Sequence, residues 1–205
     1  MITTRALEKL AKAGYPDAQF RLAYRLVYNR RRPNWKFAAV LFRLAALRGH
    51  GRAQFYLGTC FDFARGQKKD RRKAMDWYAK AAIQGHPEAQ YNLALGYRDG
   101  IGRRKNLKAA LYWLNKAAKR DDVEAQRDLG YCLHEGIGVR KNCVLAVKWY
   151  RRAARQGDAK AQWNLALCYR HGDGVRRNLR IAKHWFERAA ANGHSQARRI
   201  LRELG

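Results

Sequence analysis

The sequence predicts an all-α protein: a right-handed α/α superhelix, or solenoid, of about five 36-residue helix-hairpin repeats with a capping helix at each end. Three observations carry that prediction. An Ala-Gln pair recurs at a nearly constant step, an aromatic residue recurs with the same step in a second register, and apolar residues inside each repeat fall four apart, the spacing of one helix face.

The pair stands at Ala18-Gln19, Ala53-Gln54, Ala89-Gln90, Ala125-Gln126 and Ala161-Gln162, in steps of 35, 36, 36 and 36 residues. The second register is Trp77, Trp113, Trp149 and Trp185, with Leu41 in the slot of the first repeat. The one short step is a single-residue deletion between Tyr28 and Asn34, where later repeats carry a two-glycine turn such as Gly100-Ile101-Gly102 or Gly136-Ile137-Gly138.

Taken in order, residues 3–13 read as a leftover second helix that caps the array. The repeats follow at about 16–49, 51–85, 87–121, 123–157 and 159–193, and 194–204 read as a leftover first helix, so that 1–205 forms one domain. Each first helix carries a leucine four residues after its Ala (Leu22, Leu57, Leu93, Leu129, Leu165) and a bulky apolar residue four later (Leu26, Phe61, Tyr97, Leu133, Tyr169). Each second helix opens on Asn34, Asp70, Asn106, Asn142 or Asn178, whose short side chains accept from free N–H groups at a helix start. It closes on Gly49, Gly85, Gly157 or Gly193, while Asp121 takes that place in the remaining repeat. One hairpin cannot bury its apolar face alone, so neighbours must stack.

The segment Ala-Gln-Tyr-Asn-Leu-Ala-Leu-Gly-Tyr at 89–97, then Gly100-Ile101-Gly102, Lys108-Ala109, Trp113 and Lys116-Ala117-Ala118, closely resembles the Sel-one-like repeat, a relative of the tetratricopeptide repeat. The resemblance spans nearly the whole chain. It implies an adaptor that holds other proteins together without chemistry of its own. Secreted, disulfide-rich members of that family pair a Cys in the final Ala-Ala position with one eight residues later. Here those places hold Ala82 with Gln90, Ala118 with Gln126 and Ala154 with Gln162, which sets this chain apart from that branch.

The composition adds charge and little chemistry. Lys and Arg number 44 against 16 Asp and Glu, a formal net charge of +28, which attracts polyanions and acidic partners. The first residues lack the apolar core of a secretory signal and no run reaches the ~18–20 apolar residues of a membrane span, so a cytoplasmic monomer is the expectation. Cys60, Cys132 and Cys168 all fall seven residues after the repeat Ala, on the core face, and read as small buried apolar residues, with Cys143 able to approach Cys132. His50, His86 and His194 each follow a closing glycine and read as turn residues. No residue set has metal-ligand, nucleotide-loop or nucleophile spacing, so neither metal, cofactor nor catalysis is expected.

Two surfaces are candidates for partners. With the repeat Ala as origin, the first-helix positions opposite the core carry Phe20, Tyr24, Tyr28, Phe55, Phe63, Tyr91, Tyr131 and Trp163, joined by Arg98, Arg170, His134 and His171. In related repeats this face lines the concave groove, and rings with Arg form the usual composition of an interaction hot spot for a peptide or helix, here an acidic one. Tyr24 and Tyr131 are the positions where packing against the next repeat would remove a ring from the groove. The second surface is the inter-helix loop: Arg30, Arg31 and Arg32; Lys68, Lys69, Arg71 and Arg72; Arg103, Arg104 and Lys105; Arg140 and Lys141; Arg176 and Arg177. Stacked repeats would align these clusters into a ridge able to take RNA or DNA phosphates, the alternative function.

Overall fold

The computed structural model describes residues 3–28 and 31–204, and every regular element among them is an α-helix. The chain divides into two compact units, one ending at Asn106 and the other starting at Leu107. The first holds α1 (Thr4–Lys12), α2 (Pro16–Tyr28), α3 (Trp35–Leu47), α4 (Gly51–Asp62), α5 (Arg71–Ile83) and α6 (Pro87–Asp99). The second holds α7 (Leu107–Ala118), α8 (Val123–Glu135), α9 (Cys143–Arg155), α10 (Ala159–His171), α11 (Leu179–Ala191) and α12 (Ser195–Leu204). Within each unit every helix packs on the one before and the one after it, the all-α solenoid order that the repeat predicts.

The helix starts form as their residues dictate. Asn34, Asp70, Asn142 and Asn178 accept from the N–H of the residue three on, at 3.1, 2.9, 2.9 and 3.0 Å. Beyond the second helices the backbone turns left-handed, at Gly193 with φ 93°, and Asp121 adopts φ 64° in the same slot despite its Cβ.

The core confirms the first-helix register: the repeat Ala and the leucine four residues on are buried in all five repeats. Two positions missed by the periodicity join them. Five residues after the Ala stands a small residue, and at Gly58 and Gly130 an added Cβ would lie 2.6 Å and 2.7 Å from the rings of Tyr78 and Tyr150. These glycines let an aromatic from the second helix lie against the backbone of the first. The second-helix core is accordingly the column Phe42, Tyr78, Leu114, Tyr150 and Phe186, all buried. The tryptophan register beside it divides: Leu41 and Trp149 are buried, while Trp77, Trp113 and Trp185 are half-buried, with Lys80 4.2 Å from the Trp77 centroid and Arg188 5.3 Å from that of Trp185. A large ring at the edge of the layer keeps one side for a cation.

The recurrent glutamine is the other missed position. Its buried side chain donates Nε2 to the carbonyl eight residues earlier, in the preceding helix: Gln19 to Ala11, Gln54 to Ala46, Gln90 to Ala82, Gln126 to Ala118 and Gln162 to Ala154, at 3.2, 3.2, 2.9, 3.1 and 2.9 Å. Three of them also accept from an amide at the end of the next second helix, Gln84 onto Gln54, Gln156 onto Gln126 and Asn192 onto Gln162, at 2.8, 2.9 and 2.9 Å. An amide serves there because it is long enough to reach the preceding helix and both donates and accepts in one buried place.

Candidate partner-binding surface

The first-helix face carries the aromatic residues that the sequence assigns to a groove, and packing divides them. In the N-terminal unit Tyr24 and Tyr28 stand 4.5 Å apart, and both meet Tyr56, at 5.8 and 6.1 Å between centroids. Tyr56, one position beyond the groove residues of the sequence reading, is thus the centre of the cluster. Burial and the neighbouring tyrosine hydroxyls raise its pKa, so Tyr56 keeps its hydroxyl proton at any physiological pH. Tyr28 and Phe63 are exposed at 48% and 61%, while Tyr24 and Tyr91 are half-buried. In the C-terminal unit Tyr131, expected to be lost to packing, is exposed at 51%, and His171 is exposed with Arg170 half-buried.

Phe20 corrects the groove assignment. It is 4% exposed because the His50 ring stacks on it at 4.8 Å and Arg52 covers it at 4.7 Å. The cause is general: the residue that caps the following first helix reaches back over the ring two positions after the repeat Ala. Phe55 stacks on His86 at 4.4 Å and Trp163 on His194 at 4.6 Å, so these rings too serve repeat packing and are half-buried. Where that position is Arg127 the capping residue is Asp158, joined by an ion pair of 3.0 Å. Ring with His in three repeats and Arg with Asp in a fourth is the signal in the sequence that marks these positions as joints; the remaining repeat carries Tyr91 and Asp122 there and departs from it.

Burial favours the neutral form of the joint histidines. His50 Nδ1 accepts from the Ala53 N–H at 3.1 Å, which an imidazolium could not do. Burial lowers the pKa of His50, His86 and His194, outweighing the Asp17 carboxylate 3.8 Å from His50 and the Glu88 carboxylate 3.1 Å from His86. His134 lies between Glu135 at 2.7 Å and Asp173 at 3.5 Å. Arg98, expected to select acidic groups, is engaged by Asp99 at 2.8 Å.

The charge is segregated. The five first helices of the repeats hold seven Lys or Arg against seven Asp or Glu, while the five second helices hold fifteen against two. The first-helix face is therefore balanced, and the basic excess lies on the second helices and loops. Among the loop cations Arg31, Arg32, Lys68, Lys69, Arg71, Arg72, Arg104, Lys105, Arg140, Lys141, Arg176 and Arg177 are exposed, and Arg30 lies outside the described residues. Arg103 is a correction: it folds back onto the Asp76 carboxylate at 2.9 Å and the Tyr97 ring at 5.7 Å, walling an open depression of about 700 Å³ with Arg72, Arg104 and Lys105.

Chemistry of other kinds finds no support in the remaining groups. All four cysteines are free thiols, and Cys60, Cys132 and Cys168 are buried as expected. Burial pushes the thiols of Cys60 and Cys168 up to about 12, which makes them inert. Among the described residues no cluster of His, Cys, Asp or Glu could hold a metal ion, and no helix is long and apolar enough to cross a membrane.

Comparison with known proteins agrees with this architecture. The family model of the Sel1 repeat matches residues 16–50, 51–86, 87–122, 123–158 and 159–194. The structure of a Sel1 repeat protein from Oxalobacter formigenes is 32% identical with a TM-score of 0.89, over 98% of this chain and 58% of that one. A protective antigen of uropathogenic Escherichia coli strains, displaying an SLR fold, is 31% identical with a TM-score of 0.94, over 100% of this chain and 44% of that one. Helicobacter pylori cysteine rich protein B is 28% identical with a TM-score of 0.52, over 65% of this chain and 96% of its own. The chain thus spans about half the length of the first two.

Proposed function

Because the chain belongs to the Sel1 repeat family, whose members generally act as protein-interaction scaffolds, we propose that it is a non-enzymatic adaptor that binds a protein segment on its first-helix face. The observation that carries this reading is the cluster of Tyr24, Tyr28 and Tyr56, with Tyr28 still half open to solvent. Tyrosines in such a group present a rigid, amphipathic surface that loses little entropy when a partner covers it. The balanced charge of the first helices assigns an acidic partner's attraction to the basic excess elsewhere: long-range charge speeds the encounter, and the rings hold what arrives. Free, buried thiols suit a reducing cytoplasm, and a monomer suffices for the role.

The test is a pull-down from nuclease-treated lysate with wild type and with Tyr28→Ala, Phe63→Ala and Tyr131→Ala together. All three side chains are exposed, so their loss leaves folding intact. A protein retained by wild type and lost by the variant supports the reading. Recovery only of nuclease-sensitive material, equal in both, transfers the function to nucleic acid on the basic loops.

A further inference from the structure

One second helix departs from its four counterparts. On α3, Phe37, Val40, Leu44 and Leu47 are exposed at 49%, 53%, 44% and 67%. Their spacing of three, four and three residues sets them in one stripe, spanning roughly 80° of the helix circumference. The stripe lies opposite Ala38, Phe42 and Ala45, which are fully buried. In the other repeats the place of Leu44 is taken by Lys80, Lys116, Arg152 and Arg188, and each of those repeats carries at least one further charged or polar residue at the remaining three places, so only α3 presents four apolar side chains in a row.

Cations frame the stripe. Lys36 and Arg43 flank one side, Arg43 also donating to Gln67 Oε1 at 3.2 Å; Arg48 on the other side donates to the Gly14 carbonyl; and exposed Arg31, Arg32, Lys68 and Lys69 lie toward the start of the helix. Beside that start, Trp35, Lys36 and Lys68 line an open depression of about 700 Å³.

We propose that the outer face of α3 docks peripherally on an anionic lipid bilayer, its four apolar side chains entering the interface while the flanking Lys and Arg meet lipid phosphates. Charge complementarity selects this occupant. Two copies of a chain carrying +28 repel each other, which argues against self-association through the stripe. Nucleic acid held through its phosphates would satisfy the cations but leave three aliphatic side chains in water. Basic residues beside an apolar helix face are the pattern of helices lying in a membrane interface. This surface is separate from the first-helix face, so each reading can fail alone.

The experiment is co-sedimentation with vesicles of phosphatidylcholine, with and without about 30% phosphatidylglycerol, at about 0.1 M salt, where surface charge still acts over about 10 Å. The variant is Val40→Gln with Leu44→Gln, which keeps the net charge, and the control is Val144→Gln on α9, an exposed valine outside the stripe. Circular dichroism and thermal melts establish that all three proteins fold alike. Expected is binding of wild type and control to the anionic vesicles only, with affinity reduced about tenfold or more in the stripe variant. No binding to anionic vesicles, or equal binding by the stripe variant, overturns the proposal. So does a stripe variant that instead loses affinity for single-stranded RNA, or that dissociates a wild-type dimer in sedimentation velocity.

Discussion

Replacing Gln54 by Met and, separately, Gln90 by Met tests whether the buried glutamines hold the repeats by their hydrogen bonds or merely fill space. Methionine keeps the length and flexibility of the side chain and removes both polar ends. Gln54 makes two bonds, to the Ala46 carbonyl at 3.2 Å and from Gln84 at 2.8 Å. At about 1 kcal/mol net for each neutral bond, losing both costs about 2 kcal/mol. The penalty stops there because the Ala46 carbonyl keeps the Gly49 N–H at 3.1 Å and the exposed Gln84 amide returns to water. Gln90 makes one such bond, to Ala82 at 2.9 Å, while its Oε1 is buried without a hydrogen-bond partner. Methionine there loses one bond and relieves a buried acceptor whose desolvation costs about 1–3 kcal/mol, so the change is near neutral or stabilising. Both residues lie in the N-terminal unit, so one unfolding transition reports both. Urea titrations followed by circular dichroism should rank Gln54→Met below Gln90→Met by at least about 1 kcal/mol. Equal stabilities, or the opposite order, would refute the hydrogen-bond account and leave shape alone as the reason for the residue.

Three further outcomes follow from the same contacts. Gly130→Ala should lower stability by about 1–2 kcal/mol in thermal melts, since overpacking against Tyr150 outweighs the helix propensity that alanine gains. At Asp121, whose φ is 64°, alanine should be less stable than glycine by at least about 0.5 kcal/mol, because only glycine adopts that conformation without a Cβ penalty. The third concerns pH. His50, His86 and His194 have folded pKa values below their ordinary value of about 6.5, so the unfolded chain binds more protons in that window. Their contribution is complete above about pH 6.5 and is lost as pH falls through the folded values. A urea midpoint that drops between pH 7.5 and 5 checks this, and His50→Asn, which keeps a capping acceptor but does not titrate, should flatten the drop.

The fold was readable from the repeat because each hairpin states the same helix spacing, cap and closing turn five times. What periodicity could not resolve is the difference between a residue facing solvent and one facing the next repeat. Phe20 and Tyr28 look alike on a helical wheel, yet a ring two residues after the Ala lies under the next repeat's capping residue and is covered. Tyr56 was missed because its offset falls between the core and the open face, where the tilt between helices decides exposure. The tryptophan register was conspicuous because the residue is rare, whereas the deeper column varies among Phe, Tyr and Leu to match Gly or Ala on the helix it meets. The sign of the charge was evident, but its absence from the first helices emerged only once each residue had a helix and a face.

The ring and its covering residue have a bearing on how such arrays grow. Phe20 and His50 both lie within 16–50, Phe55 and His86 within 51–86, and Trp163 and His194 within 159–194. Each module therefore carries both halves of the contact that follows it, so excision of one module leaves every remaining pair matched. A cut placed between the two helices of a module would instead separate Phe55 from His86, or Arg127 from Asp158, and could set Arg127 against a histidine. Lengthening and shortening of the array is tolerated in one reading frame and penalised in the others, which gives a chain made of near-identical hairpins a defined unit of inheritance.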